Sequence, residues 1–118
     1  MLQYEIENLI QNNRTDLAKL VEHSSELHGD GLGFDIRSFE NDGTEKFIEV
    51  KTTRKNAVDG FYMSPNEIKV SNETVNYYIY RLYNVRETEG TADLYIYSGP
   101  CNEEKFKLTP TSYRISLK

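Results

Sequence analysis

GFDIRSF (33–39), ENDGTE (40–45) and KFIEVKTT (46–53) follow one another without a break. Two runs that alternate apolar and polar residues flank Asn41-Asp42-Gly43, so the stretch predicts a β-hairpin. A three-residue loop centred on Asp42 sets Asp35 opposite Glu49. Side chains alternate faces along a strand, so Phe47, Glu49 and Lys51 share one face and Val50 points the other way. Asp35 shares its face with Arg37. The two carboxylates then stand directly across from each other, with Cβ atoms about 4.5–5.5 Å apart. A bulge at Gly43 would shift that register.

Outward from the hairpin, Leu2, Ile6, Leu9 and Ile10 fall on one stripe at helical spacing, which predicts a helix over 2–12. A second helix is expected from Asp16 to about Leu27, with Leu17, Leu20, Val21 and Leu27 facing in and Thr15 or Asp16 as N-cap. His28-Gly29-Asp30-Gly31-Leu32-Gly33 holds three glycines in six residues, which predicts a tight turn. Phe61-Tyr62-Met63 reads as a third strand. Ser64-Pro65-Asn66-Glu67 is a capping box with proline at the first helical position, so a helix starts there and ends near Asn72 to Thr74. YYIYRLYNV (77–85) and ADLYIYS (92–98) read as strands, and Tyr113 to Leu117 as a short one. The order predicts an α/β chain with a central mixed sheet flanked by helices.

The carboxylates of Asp35 and Glu49 repel unless a cation joins them or a proton neutralises one. Mg²⁺ or Mn²⁺ fits, because a hard ion takes one or two carboxylates and keeps several waters. Lys51 stands beside that site, where it would position the attacking water or neutralise phosphate charge. Such a group performs metal-assisted hydrolysis of a phosphodiester. Arg54 and Lys55 follow and would touch neighbouring phosphates. A solvent-facing charge ladder produces the same Glu-x-Lys spacing. Against that reading, these charges sit in the most apolar strands, where they are costly unless paired or functional.

Length and charge bound the rest. The chain has 118 residues, which fits one domain able to bury roughly two thirds of its unfolded surface. The formal net charge is −5, so any DNA affinity must come from a local patch, a metal or a partner rather than bulk positive charge. One cysteine, Cys101, rules out an internal disulfide and a cysteine-built zinc site, and points to a reducing, cytoplasmic compartment. No apolar run approaches the ~20 residues of a membrane helix, and no leader is visible at Met1.

GDGLGFDIRSF (29–39), FIEVKTT (47–53), FYMSPNE (61–67) and NYYIYRLYNV (76–85) together resemble the domain at the C-terminus of the plant protein NO VEIN, common in bacterial proteins. That family is similar to the restriction-endonuclease-like PD-(D/E)xK nucleases, including the Mrr type. The resemblance implies a single restriction-endonuclease-like domain over 1–118, with residues 1–15 a peripheral N-terminal helix. The implied core runs helix, strand, strand, strand, helix, strand. By position, Asp35 is the first acid, Glu49 the second and Lys51 the lysine, with Val50 lending its carbonyl to the metal. Phe34 stands where the motif carries proline. The resemblance also implies helicase, ATPase or methyltransferase modules as neighbours.

The resulting expectation is a Mg²⁺- or Mn²⁺-dependent DNA endonuclease, the nuclease module of a larger bacterial restriction or defence protein, with a homodimer as one way to cut two strands. The alternative is a catalytically silent DNA- or protein-binding module of the same fold. Glu22 and Glu67 are candidate extra acids, although the capping box by itself accounts for Glu67. Arg81, a charge inside an apolar strand, needs an acid or a phosphate as partner. Tyr77, Tyr78, Tyr80 and Tyr83 are read as a strand buried on both faces rather than as stacking platforms, and His23 and His28 as surface or turn residues.

Overall fold

The computed structural model describes residues 1–56 and 60–118, with the backbone alone for Asp30. Along the chain come α1 (Leu2–Gln11), α2 (Thr15–Ala18), α3 (Ser24–His28), a 3-10 turn (Asp30–Leu32), β1 (Ile36–Phe39), β2 (Glu45–Thr52), α4 (Pro65–Glu73), β3 (Tyr77–Arg86) and β4 (Thr91–Ser98). The strands form one open sheet in the order β1-β2-β3-β4. β2 and β3 run parallel, and the two outer pairs are antiparallel. The architecture is therefore mixed α/β, with the parallel step bridged by α4.

The hairpin closes by local chemistry. Gly43 has φ 93°, and the Glu40 amide donates to the Thr44 carbonyl at 2.8 Å. Ile36 lies opposite Ile48 and Phe39 opposite Glu45, which is the expected register with no bulge in the turn. α4 also starts where its capping box predicts. The Glu67 amide donates to Ser64 Oγ at 3.1 Å, and the Ser64 amide donates to Glu67 Oε1 at 2.9 Å.

Three expectations are corrected. The helix read from Asp16 to Leu27 is two short pieces, and the chain straightens between them. Glu22 exchanges backbone hydrogen bonds with Arg37, both at 2.9 Å. This satisfies the outer edge of β1, which a continuous helix would leave unpaired. Leu20 and Leu27 consequently stand 56% and 67% exposed, and α2 begins after Arg14 with no side-chain cap. Second, Phe61-Tyr62-Met63 is not a strand. β3 lies directly beside β2, so no slot remains between them, and Phe61 and Met63 instead lend side chains to the core. Third, residues 113–117 form no strand, and Tyr113, Ile115 and Leu117 are exposed.

The sheet is covered on both sides. On one face Ile36, Ile48 and Tyr80 pack with Leu2, Val21 and Val50. α1, read as peripheral, buries Leu9 and Glu5. On the other face Tyr77, Ile79 and Cys101 pack with Phe34, Phe47 and Val70 of α4. Gly33 makes that approach possible. Its φ is +80°, and a Cβ there would lie 2.6 Å from the Val70 Cβ. Any side chain would push α4 off the sheet just before Asp35. Among the described residues no helix is long and apolar enough to cross a membrane.

Candidate functional site

Asp35 leaves the glycine turn and enters the hairpin one step before β1. Its amide donates to the Ile48 carbonyl at 2.8 Å, and its carbonyl accepts from the Ser25 amide at 3.2 Å. Its Oδ2 accepts from the Val50 amide at 2.8 Å. The carboxylate is thereby tied to β2 at the residue after Glu49, although the paired ladder itself ends one step earlier, at Ile36 opposite Ile48. The Val50 residue tied to Asp35 through its amide lies opposite Tyr80 in the parallel ladder. Tyr77, whose hydroxyl donates to the Gly33 carbonyl at 2.8 Å, holds the turn that delivers Asp35. Sequence reasoning missed that role, for which position at the start of a strand is no signal.

Glu49 is only 2% exposed. Its Oε2 lies 3.8 Å from Lys51 Nζ and has no hydrogen-bond partner. A buried carboxylate oxygen without a partner is costly. Burial first, then hydrogen bonds that a proton would share with Asp35 and Glu67, push the Glu49 carboxyl up to about 10. Crowded acids in a dry site hold a proton in place of a cation.

Lys51 turns toward α4, where its Nζ lies 3.0 Å from Glu67 Oε1. Glu67 therefore caps its helix and reaches the site with the same oxygen, so the capping box alone does not account for it. Burial acts to raise the Glu67 carboxyl. Hydrogen bonds from Glu49, the Ser64 amide and Lys51 outweigh that, and it sits below its ordinary range. A sequence signal existed, since Glu67 opens the helix that connects β2 to its parallel neighbour.

The other candidates are dispersed. Arg54 lies beyond the end of β2, exposed, and pairs with Glu87. Lys55 is exposed, and its carbonyl accepts from the Asn84 amide at 2.7 Å. Glu22 takes a hydrogen bond from Ser24 Oγ at 2.9 Å and lies 3.1 Å from His28 Nε2, so its carboxylate is engaged away from Glu49. Arg81 is buried beside Lys51 in the ladder. It donates to the Gly60 carbonyl at 3.2 Å and lies over the Phe61 ring at 5.2 Å. Tyr77 and Tyr80 are buried, as the strand reading expects.

Among the described residues no three His, Cys, Asp or Glu side chains are placed to hold a metal together. The donor set that fits a hard ion is Asp35 with Glu49, water completing the shell, and the unpartnered Glu49 Oε2 is the observation that favours a cation there. No curated protein and no solved structure matches the chain. The pattern that defines the family described as Protein NO VEIN, C-terminal, matches residues 1–96, and the chain belongs to that family.

Proposed function

We propose that the chain is a Mg²⁺- or Mn²⁺-dependent DNA endonuclease of the restriction-endonuclease-like, PD-(D/E)xK kind. One observation carries the reading. Glu49 is buried with an unanswered oxygen, on a strand that holds Asp35 through the Val50 amide and carries Lys51 two residues on. Asp35 and Glu49 would hold the ion, which when bound supplies charge neutralisation and an activated water. Lys51 orients that water or stabilises the phosphorane charge. Glu67 positions the Lys51 ammonium at the site.

The fold reading has its own support. The implied core needs three strands between its two helices. Glu22 bridges to the outer edge of β1, ahead of β1 and β2 and before α4 and β3. That bridge is a single residue pair and α3 separates it from β1, so the support is limited to the shared run of β1, β2, α4 and β3, with β4 added at the far edge. The net charge of −5 leaves DNA affinity to local contacts, a second domain or a second copy rather than to bulk charge.

Cleavage of plasmid, linear and methylated DNA with Mg²⁺ or Mn²⁺ tests the activity. Lys51→Ala is expected to lose about 100-fold or more, roughly 2.7 kcal/mol of barrier. Equal cleavage by both proteins would remove the mechanism. The silent-module reading is favoured by the Lys51–Glu67 ion pair, which already engages the lysine. A Mn²⁺ titration separates the two, because the nuclease binds the ion and loses it on Glu49→Ala.

A further inference from the structure

Lys51, Arg81 and Tyr95 stand opposite one another on β2, β3 and β4, in one row on the face that carries Glu49. Strands lie about 4.8 Å apart, so Tyr95 is about 10 Å from Lys51. That is the rise of about three stacked nucleotides. Next to this row opens a cavity of about 1170 Å³ whose lining includes Tyr62, Tyr95, Tyr97 and Phe106. Tyr62 is 76% and Tyr95 52% exposed. The Tyr95 and Tyr97 rings lie 4.8 Å apart between centroids. Lys69, Lys105 and Lys107 line the same cavity, against one acid, Glu103. Exposed rings grouped with cations run against the −5 charge of the chain as a whole.

We propose that this groove takes up unpaired bases of a DNA strand whose backbone passes Lys51, so that the substrate is single-stranded or locally opened DNA. The inference rests on the nuclease reading and extends it to the class of substrate. Aromatic faces bind any base by stacking, worth about 1–3 kcal/mol per base, and lysines at the rim answer the phosphates. A continuous duplex hides its base faces inside the stack and gains nothing from the groove. Stacking also supplies affinity that an acidic chain does not draw from bulk charge.

Fluorescence anisotropy in EDTA, with labelled oligothymidylate and a duplex of equal length, tests this without any cleavage. The single strand is expected to bind about tenfold or more tighter than the duplex. The double substitution Tyr62→Ala with Tyr95→Ala should erase that preference, and Tyr95→Phe should keep it. Both positions are exposed, so the fold should survive, which circular dichroism checks. Equal affinity for the two DNAs, or a preference that outlasts the double substitution, overturns the proposal. If metal-dependent cleavage is present while the preference is absent, the groove inference fails and the nuclease reading stands. If the preference and its tyrosine dependence hold without cleavage, the nuclease reading fails and the groove inference stands.

Discussion

Each face of the sheet sets a buried glutamate beside a lysine, and the two couples are built differently. Under α1, Lys46 Nζ lies 2.8 Å from Glu5 Oε1, and the Tyr80 hydroxyl donates to Glu5 Oε2 at 2.9 Å. Lys46 also lies 3.7 Å from Glu40 and over the Tyr78 and Tyr80 rings at 5.6 Å. Both oxygens of Glu5 are answered. On the opposite face Glu49 and Lys51 are 3.8 Å apart, one Glu49 oxygen has no partner, and the lysine leans to Glu67. A buried charge that is fully paired is part of the frame. An acid left short of partners, as Glu49 is, keeps its proton instead.

Lys46→Met is the strongest test of that contrast. It leaves Glu5 buried and unpaired, and should cost about 3–5 kcal/mol in urea unfolding. A loss below about 1 kcal/mol would erase the distinction between the two couples. Lys51→Ala should do the reverse, changing stability by less than about 1 kcal/mol while cleavage collapses.

The pH dependence sharpens the comparison further. Because Glu49 is raised to about 10, the folded chain keeps a proton that the unfolded chain releases near its ordinary value of about 4.3. Stability therefore falls as pH rises through that window, by up to about 1.4 kcal/mol per pH unit. Glu67, held low, contributes in the opposite sense and only as pH drops toward the carboxylate range. Melting curves of wild type and Glu49→Gln should converge near pH ~5 and separate steadily above it, with the glutamine variant flatter. Curves that stay parallel would mean that Glu49 is charged like a surface acid. Ser64→Ala is the mildest change. Loss of the cap should cost about 1 kcal/mol, and a shift in cleavage beyond that expected from stability would show that the cap also places Glu67.

The hairpin was legible because its information is local. Asn41-Asp42-Gly43 sets the loop, alternation sets the faces, and together they place Ile36 across from Ile48, one step short of Asp35 and Glu49. α4 was legible for the same reason, since Ser64, Pro65 and Glu67 lie within one turn. The segment after Asp16 was misread because its hydrophobic spacing is helical, while the unpaired edge of β1 makes a stronger demand on Glu22. Phe61 and Met63 have strand-like composition, but burial against Ile79 and Cys101 asks only for side chains and not for a ladder.

Sequence alone determined which residues form the turn, the capped helix and the alternating strands, because each rests on neighbours a few positions apart. Tertiary structure decided which charges are answered. Glu5 lies 41 positions before Lys46, and Glu67 lies 16 after Lys51. No local rule assigns one lysine to a closed network and the other to an incomplete one. That difference comes from how α1 and α4 dock on opposite faces of one sheet.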